Sequence, residues 1–327
     1  MDKFPHLPTI DLLKNGLEKL GYVCETFFLD TLSFTQFTAP SGQIWLTETH
    51  KVGYPFNSST ARRISSLKHL SYALASRIGA QTPFTTTLDS RQNNSAQYQA
   101  LLQQAPLVVK PNSASLSHGL ALNITTAETL DDAITAAGAF SDLVLVQKQL
   151  PGEEIRFMVV GNKVKAALLR QTPRLIGDGS STLAELLKAE NNDRQTRGLQ
   201  YPDLDQTIVD LNKLDMTAVP TVGAMIELGR GTMIARGASM FNVHHQVHPS
   251  YIAMAEKLAA AFGSGFVAVD MFISDYAEPL TDSNYAFIEF GMSPVLNLLY
   301  KCRDGQNYDI LSDLIPLIDS RITGGVV

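Results

Sequence analysis

Three observations predict an α+β protein. Strand-like and helix-like patterns alternate along most of the chain, strand-like runs follow one another without a helix between residues 143 and 170, and the 327 residues are 45% hydrophobic. A purely parallel sheet needs a crossover after every strand, and the 143–170 stretch leaves no room for one. The length supports a large core divided into two or three subdomains.

The N-terminal "MDKFPHLPTIDLLKNGLEKLGY" is broken by charges and prolines and has no apolar signal-peptide core, and no later run reaches the length of a membrane span. Residues 59–78, "STARRISSLKHLSYALASRI", carry Ile64, Leu67, Leu70, Leu74 and Ile78 at helical spacing before Gly79, which predicts one helix with a glycine stop. The polar run "TTTLDSRQNNSAQYQ" separates it from an apolar strand that ends at Lys110-Pro111 and opens into a loop of small and polar residues. A helix over about 127–137 is expected with Thr125 and Glu128 as its capping box, followed by a strand over 142–147. Thr182 and Glu185 form a second candidate capping box ahead of "LAELLKAE". "SYIAMAEKLAAAF" reads as a helix after Pro249, and "YDILSDLIPLIDSRI" closes the chain.

Composition narrows the function. A net charge of -6 gives no overall basic footprint, so nothing global supports nucleic-acid binding. Two cysteines, Cys24 and Cys302, are too few for a disulfide framework or a thiolate metal site and fit a reducing compartment. The expectation is a soluble cytoplasmic protein with no membrane or nucleic-acid partner; the sequence does not speak to its oligomeric state.

Two acids stand out because each sits alone in an apolar strand: Asp270 in "GFVAVDMFI" and Glu289 in "YAFIEFGMSP". Burial would push either carboxylate towards its neutral form unless a cation held it charged, so a shared metal is one explanation and a salt bridge is the other. Lys110 at a strand end, before the loop 112–119, suits a phosphate, although a surface lysine before a turn proline also accounts for it. Between Gly152 and Leu186, strand alternation puts Arg156 and Met158 on one face and Lys163, Lys165 and Ala167 on another. Of the basic residues there, Arg156, Lys163, Lys165, Arg170 and Arg174, several are expected simply on a solvated face. His244, His245 and His248 lack the acid and the spacing of a zinc site.

The order of these segments resembles the ATP-grasp superfamily, in particular the ligase domains of cyanophycin synthetase and bifunctional glutathione synthetase. "SLKHLSYALASRIGAQTP", "LVVKPNSASLSHG", "VLVQKQLPGEEIRF", "AALLRQTPRLIGDGSSTLAELL", "HPSYIAMAEKLAAAF", "GFVAVDMFI" and "FIEFGMSP" carry the likeness over roughly residues 60–300. It implies an N-terminal α/β portion (1–60), a lid subdomain (61–150) and a C-terminal mixed-sheet core (151–327). It also implies an ATP- and Mg2+-dependent carboxylate-amine ligase that acts through an acylphosphate on an amino acid or small peptide. By that resemblance Lys68 and Lys110 contact nucleotide phosphates, Ser117 lies in the phosphate loop, Gln147, Lys148 and Leu150 belong to the adenine hinge, and Glu154 meets the ribose. Arg156, Arg170 and Arg230 are the candidate catalytic residues, with Asp270 and Glu289 as magnesium ligands.

The chain departs from the family pattern at four places. Gly291 replaces the asparagine of the Glu-x-Asn metal motif, and Gly229 and Met233 stand where an arginine and an asparagine are usual, with Arg230 or Arg236 nearby. The phosphate loop reads Ser117-His118-Gly119, and the hinge carboxylate is Gln147. The alternative expectation is therefore a protein that keeps a nucleotide or peptide ligand without turnover.

Overall fold

The computed structural model describes residues 8–114, 117–196, 203–204, 214–229, 231–232, 234 and 237–324. The chain divides into two compact units, each assembled from separated segments. Unit 1 takes Met1–Thr82, Ile155–Leu168 and Asn242–Val327, and unit 2 takes Pro83–Glu154 and Leu169–Phe241. The fold is α+β.

Unit 1 begins with α1 (Thr9–Glu18), whose Ile10, Leu12, Leu13 and Leu17 are buried, and the chain turns at Gly21 with a positive φ of 84°. An antiparallel meander follows: β1 (Val23–Leu29), β2 (Leu32–Thr38) and β3 (Ile44–Glu48). Period-two alternation buries Phe37 and Trp45, stacked 4.7 Å apart, on one face, while Val23, Leu29, Leu32, Ile44 and Leu46 are about half exposed or more. The single helix expected over 59–78 is in fact two, α2 (Ser59–Ser65) and α3 (Lys68–Arg77). Leu67 between them is extended (φ -124°, ψ 98°), and Ser71 Oγ donates to the carbonyl of Ile64 across the break. The break changes which residues are buried: Tyr72 and Ala75 replace the expected leucine stripe, and Leu70 is exposed. The glycine stop holds, with Gly79 at φ 80°.

In unit 2, β4 (Thr85–Asp89), α4 (Ser95–Leu102), β5 (Leu107–Pro111), β6 (Ala121–Ile124), α5 (Ala127–Gly138) and β7 (Leu143–Lys148) form a four-stranded sheet, ordered β4-β7-β5-β6, under two helices. Its core joins Leu107, Val109, Val144 and Val146 to Leu130, Ala133, Ile134 and Ala137. Each such aliphatic side chain contributes about 1.5–3 kcal/mol on burial. The cap of α5 lies one residue later than expected: Thr126 Oγ1 accepts from the Thr129 amide at 3.2 Å, and Thr129 Oγ1 accepts from the Thr126 amide at 3.3 Å. A threonine does the work expected of Glu128, which instead puts its charge in the first turn, where the helix dipole favours it.

The chain crosses between units within β8 (Glu153–Val160) and β9 (Lys163–Gln171), joined by Gly161 and Asn162, both at positive φ (55° and 63°), as a two-residue hairpin turn requires. In unit 2, β10 (Arg174–Ile176) pairs with β11 (Met225–Glu227) beside α6 (Leu183–Thr196), around Leu175, Leu183, Leu187, Leu204 and Leu228. The Thr182–Glu185 capping box forms as expected, Glu185 accepting from the Thr182 amide at 2.8 Å. A short strand, β12 (Ser239–Asn242), leads to α7 (Pro249–Ala261), β13 (Phe266–Ile273), β14 (Tyr285–Gly291) and α8 (Leu311–Thr323). In unit 1 the neighbouring strands run β9-β8-β13-β14. Among the described residues, no helix is long and apolar enough to cross a membrane.

Candidate functional site

β13 reads FVAVDMFI, and every residue of it but Phe272 is buried; Asp270 is 1% exposed. In the antiparallel ladder Asp270 lies directly opposite Glu289 of β14, so both carboxylates project from one face of the sheet. Asp270 is not left as a bare buried charge. Arg156, on the adjacent β8, donates from Nε to Oδ1 at 2.8 Å and from Nη2 to Oδ2 at 2.6 Å, a two-point fork. Lys68, the first residue of α3, brings its Nζ to 4.0 Å from Glu289 Oε2 as α3 packs on β14. Two carboxylates and two cations make a neutral quartet. The charge compensation that the sequence suggested of a metal is thus supplied at Asp270 by Arg156, while Glu289, with its side chain 41% exposed, remains open to solvent.

The pair nevertheless suits a hard cation. Magnesium takes oxygen ligands and commonly uses one or two carboxylates together with substrate oxygens, and directly opposed strand residues place their Cβ atoms about 4.5–5.5 Å apart. Among the described residues, no group of three or more His, Cys, Asp or Glu is placed to hold a metal. The next pair on the same face is Ala268 and Gly291, which has no donor side chain; a Cβ at 291 would meet that of Ala268 at 3.2 Å.

In unit 2 the sheet register sorts the expected nucleotide residues. Val108, opposite Gln147, and Lys110, opposite Leu145, lie on the face turned away from α4 and α5, and Thr85 sits opposite Gln147 on the other side. Lys110 and Gln147 therefore share a face, whereas Lys148 projects from the other and is exposed. Gln147 is 3% exposed, and its Nε2 donates to Thr85 Oγ1 at 2.7 Å, which in turn donates to the Pro83 carbonyl. Beyond the strand, Gln149 accepts from the Asn123 amide at 2.8 Å and donates to its Oδ1 at 3.0 Å, pinning the segment that carries Leu150. Ser117 stands at φ 54°. Gly119 adopts φ 67° where an added Cβ would lie 2.7 Å from Pro111 Cγ and 2.9 Å from a Phe140 ring carbon, so that position needs glycine.

Glu154 and Arg170 form a second, nearly buried ion pair at 2.5 Å, closed by Thr232, whose hydroxyl donates to the other Glu154 oxygen and whose carbonyl accepts from Arg170 Nε at 3.1 Å. Both oxygens of the expected ribose ligand are thus engaged by protein groups. Thr232, Thr85 and Asn123 had no signal in the sequence, because their importance comes from tertiary neighbours, whereas Gln149 lies inside the 147–150 hinge segment. Arg230, with Met233 and Arg236, lies outside the described residues.

Other candidates resolve blandly. Lys163 pairs with Glu256, Lys165 with Asp313 and Arg174 with Glu153. His248 caps α7, accepting from the Ser250 amide. His244 meets His245 edge to face at 5.3 Å, and burial, then the neighbouring imidazole, lower its pKa.

No family model matches the chain. It is 27% identical over 252 residues to the glutathione biosynthesis bifunctional protein GshAB of Streptococcus agalactiae, covering 72% of this chain and 33% of that protein. It is 26% identical over 228 residues to GshAB of Clostridium perfringens, covering 67% and 29%. The chain thus spans about a third of the length of the curated relatives it matches. Among solved structures, a bifunctional glutathione synthetase from Pasteurella multocida aligns with TM-score 0.63 at 19% identity, over 97% of this chain and 44% of that one. The D-alanine–D-alanine ligase of Bacillus anthracis aligns with TM-score 0.50 at 18% identity, over 84% and 74%.

Proposed function

We propose that this chain, which has the ATP-grasp fold, is an ATP-dependent carboxylate-amine ligase that joins an amino acid or small peptide to an amine. The observation that carries the reading is the directly opposed Asp270–Glu289 pair with Arg156 and Lys68 against it, in a chain whose named relatives make glutathione. A cytoplasmic setting goes with the reading, and both cysteines being free thiols supports it.

On this reading Lys68 in unit 1 and Lys110 in unit 2 are each a cation suited to phosphate oxygens, and within unit 2 the Glu154–Thr232 brace fixes the direction of the Arg170 guanidinium. Gln147, its amide tied to Thr85, and the Gln149–Asn123 pair hold the hinge to which the base docks. Asp270 and Glu289 would hold magnesium, which when bound neutralises phosphate oxygens and orients the γ-phosphoryl group. A substrate carboxylate oxygen forms a bond to the γ-phosphorus as the bond to the ADP oxygen breaks, giving an acylphosphate. The amine nitrogen then bonds to the acyl carbon, phosphate departs with the C–O bonding pair, and the proton shed by nitrogen leaves to water. The protein's part is to position, to place charge and to exclude water rather than to supply a nucleophile.

Two observations favour a second reading, binding without turnover: Gly291 offers no side-chain metal ligand, and Arg156 already engages both oxygens of Asp270. ATP, magnesium and a library of amino acids and dipeptides separate the two. The ligase reading expects phosphate release matched by a new amide in the mass spectrum, both lost in Glu289→Gln. Tight nucleotide binding with no phosphate released for any pair of substrates would establish the second reading.

A further inference from the structure

We infer that the acidic face of the β13–β14 ladder takes one divalent ion beside the nucleotide, not two, with the Arg156 guanidinium supplying the remaining fixed positive charge. The inference rests on the proposal that the chain binds nucleotide.

Three features of unit 1 carry it. First, the donors end abruptly: Asp270 faces Glu289, and the adjoining pair on the same face, Ala268 and Gly291, has only a methyl group and a hydrogen. An ion shared by Asp270 and Glu289 has two protein carboxylates, whereas a second ion on the Gly291 side would have, from the side chains of these two strands, Glu289 alone. Magnesium insists on near-octahedral oxygen coordination, so a site with one protein oxygen must be completed by water and phosphate at a loss of affinity. Second, Arg156 approaches both oxygens of Asp270 at 2.8 and 2.6 Å, which leaves each oxygen fewer lone-pair directions for metal. Third, Asp270 is 1% exposed and the Arg156 side chain 17%, so the guanidinium is built into the face and is not a mobile surface cation. Its delocalised charge cannot be titrated away.

The test counts ions and does not depend on turnover. Mn2+ is titrated into the full chain with a non-hydrolysable ATP analogue; bound manganese is read by electron paramagnetic resonance, and bound nucleotide by equilibrium dialysis of the same samples. One protein-dependent Mn2+ per bound nucleotide is expected, and Glu289→Gln should weaken its binding by removing one of the two carboxylates, leaving Asp270. Gly291→Asn should raise the count to two by restoring a side-chain oxygen. Because the new Cβ presses on Ala268, the double variant Ala268→Gly/Gly291→Asn is run beside it, with circular dichroism confirming that it folds. Two ions per nucleotide in the unaltered chain, or an unchanged count in the folded double variant, would overturn the inference while leaving nucleotide binding intact. Manganese affinity unaltered by Glu289→Gln would overturn it as well. Absence of nucleotide binding at every manganese concentration would instead remove the nucleotide reading, and the inference with it.

Discussion

At the scale of single residues, Asp270 shows how a buried charge is tolerated. Its carboxylate sits in an apolar strand because Arg156 meets it with two parallel hydrogen bonds. Breaking such a pair from one side strands the other charge, so Arg156→Gln is expected to destabilise the fold by about 3–5 kcal/mol, while Arg156→Gln/Asp270→Asn recovers much of that loss. Urea unfolding of the three chains measures it; equal midpoints for single and double variants would show the pair to be uncoupled. Lys110 belongs to the opposite class, a partly exposed lysine on the sheet face away from the unit 2 core. Lys110→Met should leave the melting temperature within a degree or two and weaken ATP binding about tenfold or more, since the group contributes charge rather than packing. Calorimetric titration decides: an unchanged affinity takes Lys110 out of the nucleotide site.

At the scale of elements, glycines with positive φ do unequal work. Gly119→Ala meets both an unfavourable backbone angle and the Pro111 and Phe140 side chains, whereas an added Cβ at Gly161 meets nothing within 4 Å. Gly161→Ala should therefore cost about 1 kcal/mol, from the backbone angle alone. Gly119→Ala should cost more and should also weaken nucleotide binding by disturbing the loop that carries Ser117. Similar losses of melting temperature and similar nucleotide affinities in the two variants would show that the close packing at Gly119 is unimportant. The same scale shows what could be read in advance. The strands bearing Asp270 and Glu289, the Thr182–Glu185 cap and the glycine stop of α3 follow from local rules: apolar runs, a capping pair at fixed spacing, a residue that tolerates positive φ. The break at Leu67 and the shift of the α5 cap to Thr126 were not legible, because Ser66-Leu67 contains no helix breaker and adjacent threonines offer two equivalent cap frames. The Arg156 fork and the Thr232 brace were hidden for a different reason. Each joins residues more than 60 positions apart, which only the tertiary fold brings together.

At the scale of the whole molecule, both units are discontinuous, and the chain passes between them inside β8 and β9 rather than through a linker. That threading bears on how the protein emerges from the ribosome. The last segment of unit 2 ends at Phe241, whereas unit 1 lacks β13 and β14, and with them Asp270 and Glu289, until the final stretch from Asn242 is made. Unit 2 can thus close while the N-terminal meander and α3 wait for partners, and Lys68 precedes its acid by 221 residues, 289 less 68, in the order of synthesis. A stalled nascent chain with residues up to 241 outside the tunnel should resist limited proteolysis across residues 117–148 and be cut readily between residues 49 and 82. Equal protection of both regions at that length would mean that the N-terminal segment is stable before β14, on which α3 packs, exists.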